Sequence, residues 1–266
     1  MVREFPLLAV VLAALMLAAI VVFMLGPLAV VVAASLTAGQ FLTFPPQGLS
    51  LRWYGDVLGS SAYLSAAWTS TILATTVTLT SVTAGTLAAV ALSRRRFPGA
   101  AALAGLFLSP LVLPTIVLGL GLLILFSIYA SGPSLLALWL GHSVITIPYV
   151  VRTVQAVLAD ADPALEEAAR TMAAGPLRRL WFVTLPQCRR GMIAGAFFAF
   201  NISFDEAVIA LFLRTPGLET LPLRIYSQLE FSATPAVAAA SALMIALTVA
   251  LLVVVERSLG VRRVAG

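Results

Sequence analysis

The chain has 266 residues, of which 61% are hydrophobic and only 10% are charged, and its mean hydropathy is +1.05. A water-soluble domain of this length needs far more charge to cover its surface, so the composition excludes one and indicates an integral membrane protein. The net charge of +5 comes from arginine, in short clusters beside apolar runs, which is typical of a membrane topology signal and not of a nucleic-acid-binding surface.

Six long apolar runs predict an all-α polytopic protein that forms a single transmembrane domain over residues 1–266. The predicted spans lie at about 7–35, 66–92, 100–128, 135–158, 191–213 and 235–256. The first run also fits a secretory signal peptide, but it is roughly twice the ~7–15 apolar residues of one, which favours a retained span. Residues 37–62, with Trp53 and Tyr54, are typical of a loop with interfacial aromatic side chains.

Prolines and glycines interrupt the third and fourth predicted spans. They are Pro110, Pro114, Gly119, Gly121, Gly141 and Pro148. A bilayer tolerates such interruptions only where protein or water satisfies the freed backbone groups, so these spans are expected to face other helices or a pathway. Packing kinks and a gating role are the two interpretations.

The arginines are divided unevenly between the two sides that six spans define. Thirteen lie in the N-terminal segment, in 93–98, in 152–190 or in the C-terminal segment, whereas three lie on the other side. Because arginine accumulates on the cytoplasmic side, both termini and the polar segment 160–190 are expected to be cytoplasmic.

The polar segment 160–190 carries a helical pattern of apolar residues. The residues on one face are Leu165, Ala168, Ala169, Met172 and Ala173. With Asp162–Pro163 as a start signal and Gly175–Pro176 as a stop signal, the pattern predicts an amphipathic helix at about 163–174. A second short helix is predicted at about 177–184, ending at Leu185–Pro186.

Two further expectations concern this first amphipathic helix. Glu166 and Arg170, at positions i and i+4, are expected to form an ion pair. The alanine-rich face favours docking into the groove of a partner, and an orientation flat on the lipid surface is the alternative.

No catalytic constellation is evident, so the sequence does not indicate an enzyme. His142 has no second histidine or suitable cysteine to share a metal, and Cys188, the one cysteine, cannot form an internal disulfide. We expect His142 to be a core residue with a backbone partner. The chain has no lysine and therefore no P-loop, so no cofactor is expected, and a partner subunit must bind any ATP that is used.

The polar segment also contains a spaced set of residues that forms a known pattern. Its members are Glu167, Ala168, Ala169, Ala173, Val183, Leu185 and Pro186. This pattern resembles the EAA loop of permease subunits of ABC importers. Ala173 stands where the family usually has glycine, so the turn is expected at Gly175–Pro176 instead, and Val183 stands where it usually has isoleucine. The resemblance implies that this loop is a coupling helix that docks on an ATP-binding subunit.

Three further stretches carry a similarity that extends over nearly the whole chain: residues 51–54, 200–206 and 221–227. With them, the chain resembles the second permease subunit of spermidine/putrescine-type importers. It implies a type I ABC importer permease fold in a bacterial inner membrane, with a companion permease, a cytoplasmic dimer of ATP-binding subunits and a periplasmic solute-binding protein. It implies a small cationic solute, a polyamine or related compound, although related permeases carry opines and other small solutes.

Two adjacent acids, Asp205 and Glu206, lie in the fifth predicted span, roughly 20 Å along it at ~1.5 Å per residue, and Asn201 shares a face with Asp205. Ionised carboxylates at that depth cost a few kcal/mol unless they are paired or hydrated. One hypothesis is that the three residues line the pathway of a cationic solute. The alternatives are that the span ends early, or that the acids bond helix ends of a companion permease.

Two rival functions belong to other classes. A self-sufficient secondary transporter or channel would use Asp205 and Glu206 as its ion site, but the sequence offers it no second charged intramembrane site. A membrane anchor without transport would leave the interrupted third and fourth spans unexplained.

Overall fold

A computed structural model describes residues 7–94, 98–130, 132–215 and 217–259, and within those ranges it contains helices and no β-strand. The helices are α1 (Leu7–Ser35), α2 (Arg52–Gly59), α3 (Ser61–Arg94), α4 (Ala100–Leu108), α5 (Thr115–Tyr129), α6 (Leu135–Ala159), α7 (Pro163–Thr171), α8 (Pro176–Arg179), α9 (Leu185–Asp205), α10 (Val208–Leu213), α11 (Leu221–Phe231) and α12 (Pro235–Leu259). The all-α prediction is confirmed. Several arginines used above to predict topology lie outside the described residues: Arg3, Arg95, Arg96, Arg262 and Arg263.

Among the described residues, four helices are long and apolar enough to cross a membrane: α1, α3, α6 and α12. The third predicted span, 100–128, is not one straight helix. Its first half, Ala100–Leu111, meets α5 at a bend of 103°, and the two count as a fifth span only if they cross together. The bend lies at Pro114, where the ring excludes continued helical hydrogen bonding and disfavours a helical conformation of the residue before it.

The fifth predicted span, 191–213, also differs from the structure. Helix α9 begins earlier, at Leu185, and ends at Asp205, and α10 is a separate short helix. Glu206 has the extended backbone conformation that interrupts the run. The number of membrane crossings, six, stays a prediction.

The chain divides into two compact units. One holds the residues up to Ser61 together with Ser227–Ala246. Within it, Trp53 Nε1 donates a hydrogen bond of 3.2 Å to the Gly39 carbonyl oxygen, and the Ser35 and Tyr54 hydroxyls lie 2.6 Å apart. Because α2 and the start of α3 lie inside residues 37–62, the prediction that this segment is a loop is only partly correct.

The other unit, Ala62–Tyr226 with the end of α12, contains the packing on which the site depends. Helices α6 and α9 meet along residues at intervals of four on α9: Gly191, Gly195, Ala199 and Ser203. We call this line the α6–α9 seam. A Cβ atom at Gly191 would lie 2.8 Å from the Thr153 carbonyl oxygen, so the two backbones are in direct contact there.

Glycine and proline do not break the fourth predicted span. Helix α6 is continuous and includes both Gly141 and Pro148. A Cβ atom at Gly141 would lie 2.9 Å from Ile209 Cγ2, and one at Gly119 would lie 2.7 Å from Phe212 Cδ2. These two glycines therefore admit bulky side chains from α10. In contrast, nothing lies within 4 Å of such an atom at Gly121. At Gly119 and Gly141 the structure fits the packing interpretation.

Candidate functional site

The candidate coupling segment, residues 160–190, starts as the sequence predicts. The Asp162 carboxylate accepts a hydrogen bond of 2.9 Å from the N–H of Ala164, and Pro163 is the first residue of α7. This pairing satisfies one of the free N–H groups of the first turn, and proline loses nothing there because its missing N–H would have no helical acceptor. Helix α7 has nine residues and is therefore about 13 Å long.

The helix ends earlier than predicted, at Thr171, and the turn is made by Ala173 and not by Gly175–Pro176. Ala173 has φ 56°, in the left-handed region. The N–H of Ala174 donates to the Ala169 carbonyl oxygen at 3.0 Å, and the N–H of Ala173 donates to that of Arg170 at 3.1 Å. This is a Schellman motif, in which glycine normally holds the left-handed position. The chain thus turns at the place where the EAA family has its glycine, with alanine in that conformation.

The second half of the segment does not end at Leu185–Pro186, contrary to the prediction. Helix α8 continues through a π-helical turn, Leu180–Thr184, directly into α9. The N–H of Leu185 donates to the Leu180 carbonyl oxygen, five residues back. Pro186 has no N–H to give to the ladder, and the π turn, which occurs mostly as a single turn inside an α-helix, ends two residues before it. Helix α8, the π turn and α9 are therefore one uninterrupted helical path.

The apolar side chains of the segment are mostly uncovered. More than half of each of five large side chains is exposed: Leu165, Met172, Leu177, Trp181 and Phe182. Among the residues of the EAA pattern, Glu167, Ala168, Ala173 and Pro186 are exposed, and Ala169, Val183 and Leu185 are half-buried. The predicted apolar face of α7 is thus open. The sequence reading missed Trp181 and Phe182, although two adjacent aromatic residues in an arginine-rich segment are a visible signal.

The predicted ion pair between Glu166 and Arg170 is absent. Glu166 pairs instead with a residue 72 positions away in the sequence. Arg94 Nε donates to Glu166 Oε1 at 3.0 Å, and the Thr184 hydroxyl donates to the same oxygen at 3.1 Å. Only 22% of the Arg94 side chain and 19% of the Glu166 side chain are exposed. A more enclosed partner on α3 therefore outcompetes the exposed i, i+4 neighbour, whose interaction is worth only a few tenths of a kcal/mol.

The candidate pathway residues lie at the opposite end of α9. Asp205 is its last residue and is exposed, whereas Glu206 accepts hydrogen bonds from the N–H groups of Val208 and Ile209, at 2.7 and 3.0 Å. Asn201 Nδ2 donates to the carbonyl oxygen of Phe197 at 2.9 Å. Glu206 therefore caps α10 within this chain, which matches the alternative that the helix ends early. Of the two adjacent acids, only Asp205 has an exposed side chain.

His142 is fully buried in α6, but its partner is not the expected backbone group. Its Nδ1 lies 3.0 Å from the Ser203 hydroxyl, which joins α6 to α9 within the seam. Nearby, the Ser81 and Thr146 hydroxyls lie 2.7 Å apart and join α3 to α6. Buried polar groups in a bilayer favour such interhelical partners. No cluster of three or more potential metal ligands occurs in the described part of the chain.

Comparison with known proteins gives relatives over most of the chain. Residues 81–261 match the family described as the binding-protein-dependent transport system inner membrane component. The putrescine transport system permease protein PotI of Escherichia coli is 33% identical over 230 residues, which cover 84% of this chain and 82% of that protein. The spermidine/putrescine transport system permease protein PotC of Escherichia coli is 28% identical over 235 residues, which cover 88% and 89%.

A solved structure supports the fold. It is the crystal structure of a bacterial ABC transporter involved in the import of the acidic polysaccharide alginate. One of its chains superposes with a TM-score of 0.69 over 96% of this chain and 99% of that chain, at 16% identity. At that identity the likeness concerns the fold alone. The predictions of a type I importer permease fold and of a spermidine/putrescine-type relationship are confirmed.

Proposed function

Because this chain belongs to the family of binding-protein-dependent transport system inner membrane components, we propose that it is one of two permease subunits of an ATP-driven importer for a small cationic solute. The family consists of ABC importer permeases of the inner membrane, which are transporters and not enzymes. The proposed solute is a polyamine, such as putrescine or spermidine, because PotI and PotC carry those names.

The observation that carries the proposal is the open apolar surface of the coupling segment. Helix α7 and the residues after it expose Met172, Trp181 and Phe182, which is unfavourable unless another surface covers them. A short amphipathic helix is a common ligand for a hydrophobic groove. We infer that the groove belongs to a cytoplasmic ATP-binding subunit, since this chain has no P-loop of its own.

The way the segment is attached supports a mechanical role. Its first end follows α6, and its second end runs without interruption into α9. Helices α6 and α9 are in backbone contact at the seam, so a force on the segment acts on both together. Closure of the ATP-binding subunits would then rotate this helix pair as a rigid body between inward-open and outward-open arrangements.

The acids at the far end of α9 support a cationic solute. With the coupling segment on the cytoplasmic side, Asp205 lies toward the side from which a periplasmic binding protein would deliver its solute. Its carboxylate is exposed and has no ion-pair partner among the described residues. A negative charge in a narrow, poorly solvated route attracts cations strongly, so Asp205 is the candidate pathway residue and Asn201 a neighbouring one. Glu206 has a capping role instead.

The test is reconstitution in proteoliposomes of this chain with its companion permease, its ATP-binding subunits and its binding protein. Putrescine and spermidine are expected to stimulate ATP hydrolysis and to accumulate, whereas sulfate is not. Stimulation by an anion alone would overturn the cationic assignment while leaving the importer intact. Solute flux that needs an ion gradient and no ATP-binding subunit would instead favour the secondary transporter.

A cross-linking experiment tests the docking surface separately. With Cys188 replaced by alanine, a single cysteine at Met172 is expected to cross-link to the ATP-binding subunit, because that side chain is 82% exposed on the apolar face. A cysteine at Leu113, which is exposed at the bend before α5, serves as the control and is not expected to react with that subunit. Cross-links from Met172 to lipid-embedded probes alone would support the surface-lying alternative.

A further inference from the structure

Two adjacent glutamates of α7 have very different surroundings. Glu167, the first residue of the EAA pattern, is exposed, and none of the described residues reaches it with a hydrogen bond or an ion pair. Glu166 is largely enclosed and holds two partners on one carboxylate oxygen. Neighbouring residues on a helix point about 100° apart, so one faces out while the other faces the body of the protein. The two carboxylates therefore cannot share one role.

The partners of Glu166 come from two different parts of the fold. Arg94 is in the last turn of α3, and Thr184 closes the π turn that leads into α9. The oxygen–nitrogen distance of 3.0 Å and the oxygen–oxygen distance of 3.1 Å are those of real hydrogen bonds. One carboxylate oxygen thus joins α3, α7 and the start of α9. We call the three residues the Glu166 junction.

The junction is more enclosed than an ordinary surface ion pair. Exposed pairs are weak because water and salt screen them, but these two side chains are less than a quarter exposed. The Arg94 Nη2 atom is buried and has no acceptor among the described residues, so Glu166 is the one described acceptor that holds this guanidinium. A cation at the end of α3 also interacts favourably with the carbonyl groups of its last turn. Loss of Glu166 would leave a partly buried charge without its described acceptor.

We propose that Glu166 and Arg94 are positioning residues that fix the coupling helix α7 to the end of α3. The Ser81 and Thr146 hydroxyls already join α3 to α6, so the junction adds a direct path by which motion of α7 reaches α3 when the ATP-binding subunit moves. This inference rests on the proposed function and extends it to a third helix. Without the junction, α7 stays connected to α6 and α9 through the chain but has no polar link to α3. ATP hydrolysis would then continue while less of its motion reached the pathway.

The experiment measures solute transported per ATP hydrolysed in the reconstituted complex. Glu166→Gln keeps the size and an acceptor for Thr184 but removes the charge, and Arg94→Gln removes the other charge. Each is expected to lower the ratio about fivefold, the effect of losing one enclosed ion pair. The double variant is expected to be no worse than either single variant, because both remove the same interaction. The matched control is Arg152→Gln, an exposed arginine of α6 outside the junction.

Several outcomes would overturn the proposal. They are additive effects of the two substitutions, an unchanged ratio in either variant, or a fall in the amount of assembled complex with the ratio preserved. If single variants fail to assemble, the exchanged pair Arg94→Glu with Glu166→Arg decides, since restored assembly and coupling support the junction and their absence refutes it. Failure of the proposed function itself would be seen earlier, as wild-type complex that shows no solute-stimulated hydrolysis.

Discussion

The seam between α6 and α9 and the segment that connects them are built in opposite ways. The seam is buried and uses glycine, alanine and serine, with the backbones in contact at Gly191. The coupling segment exposes leucine, methionine and aromatic side chains over short helices. In the seam, α6 of the same chain covers the small residues of α9, whereas the apolar side chains of the segment are exposed. The proposed function requires this difference, with the seam moving as one body and the segment receiving the ATP-binding subunit.

The two regions also differ in what holds them. Close packing in the seam gives many short-range dispersion contacts, which tolerate no added atom. The segment is held by a few directed interactions: the Asp162 cap, the Schellman turn at Ala173 and the Glu166 junction. Substitutions in the seam should therefore affect stability, and substitutions in the segment should affect partner binding.

The largest effect is expected from an added methyl group in the seam. In Gly191→Ala the new Cβ would lie 2.8 Å from the Thr153 carbonyl oxygen and 2.9 Å from Val154 Cα, so backbone must move. We expect a loss of about 2–3 kcal/mol in the free energy of unfolding, measured in detergent. Gly121→Ala is the matched control, with open space around it, and should be neutral or stabilising by up to about 1 kcal/mol. Equal effects at both glycines would show that the seam is not tightly packed.

The next effect concerns the open surface. Met172→Glu replaces an apolar side chain that is 82% exposed with a charged one, so the free energy of unfolding should change little. Binding of the ATP-binding subunit, measured by co-purification and by titration in detergent, is expected to fall about 30-fold, as for a central interface residue worth about 2 kcal/mol. Met172→Leu should bind nearly as well as the wild type. An unchanged affinity in the charged variant would show that the ATP-binding subunit does not bind the apolar face of α7.

A smaller effect is expected where the seam helix ends. Asp205→Asn removes the exposed charge without changing the size of the side chain, and uptake of putrescine is expected to fall about tenfold, corresponding to about 1.4 kcal/mol. Glu206→Gln serves for contrast, because Glu206 caps α10. Its substitution should lower the free energy of unfolding by about 1 kcal/mol. Normal uptake by Asp205→Asn in a fully assembled complex would exclude the pathway role.

Local signals predicted local features well. The Asp162–Pro163 start of α7 depends on residues that are adjacent in sequence, and the structure has it as predicted. The Glu166–Arg170 pair was predicted from the same kind of rule and is absent, because Arg94 is a better enclosed partner. Helix spacing reports which residues are neighbours on one helix, but it carries no information about another helix that approaches. The Ser203 partner of His142 was missed for the same reason.

Helix ends were harder to predict, and proline was the main cause. Pro114 accompanies a bend of 103°, Pro148 lies inside a continuous helix, and Pro186 follows a π turn in an uninterrupted helical path. The same residue type has three outcomes because tertiary packing decides whether its missing hydrogen bond breaks the helix or is absorbed. Likewise, the sequence does not show that the glycines at 191 and 195 are in close contact with another helix, because that contact depends on the position of α6.

The smallest effect tests the turn that ends the coupling helix. Ala173 holds a left-handed conformation at φ 56°, in which its Cβ crowds the backbone, and glycine has no such penalty. We expect Ala173→Gly to slow amide exchange in the last turn of α7, corresponding to a stabilisation of about 1 kcal/mol. Ala174→Gly is the control, because Ala174 does not have positive φ, and it should speed exchange through the greater freedom of the unfolded chain. If both substitutions speed exchange, the segment does not turn at Ala173, and the alignment of this residue with the glycine of the EAA loop has no structural meaning.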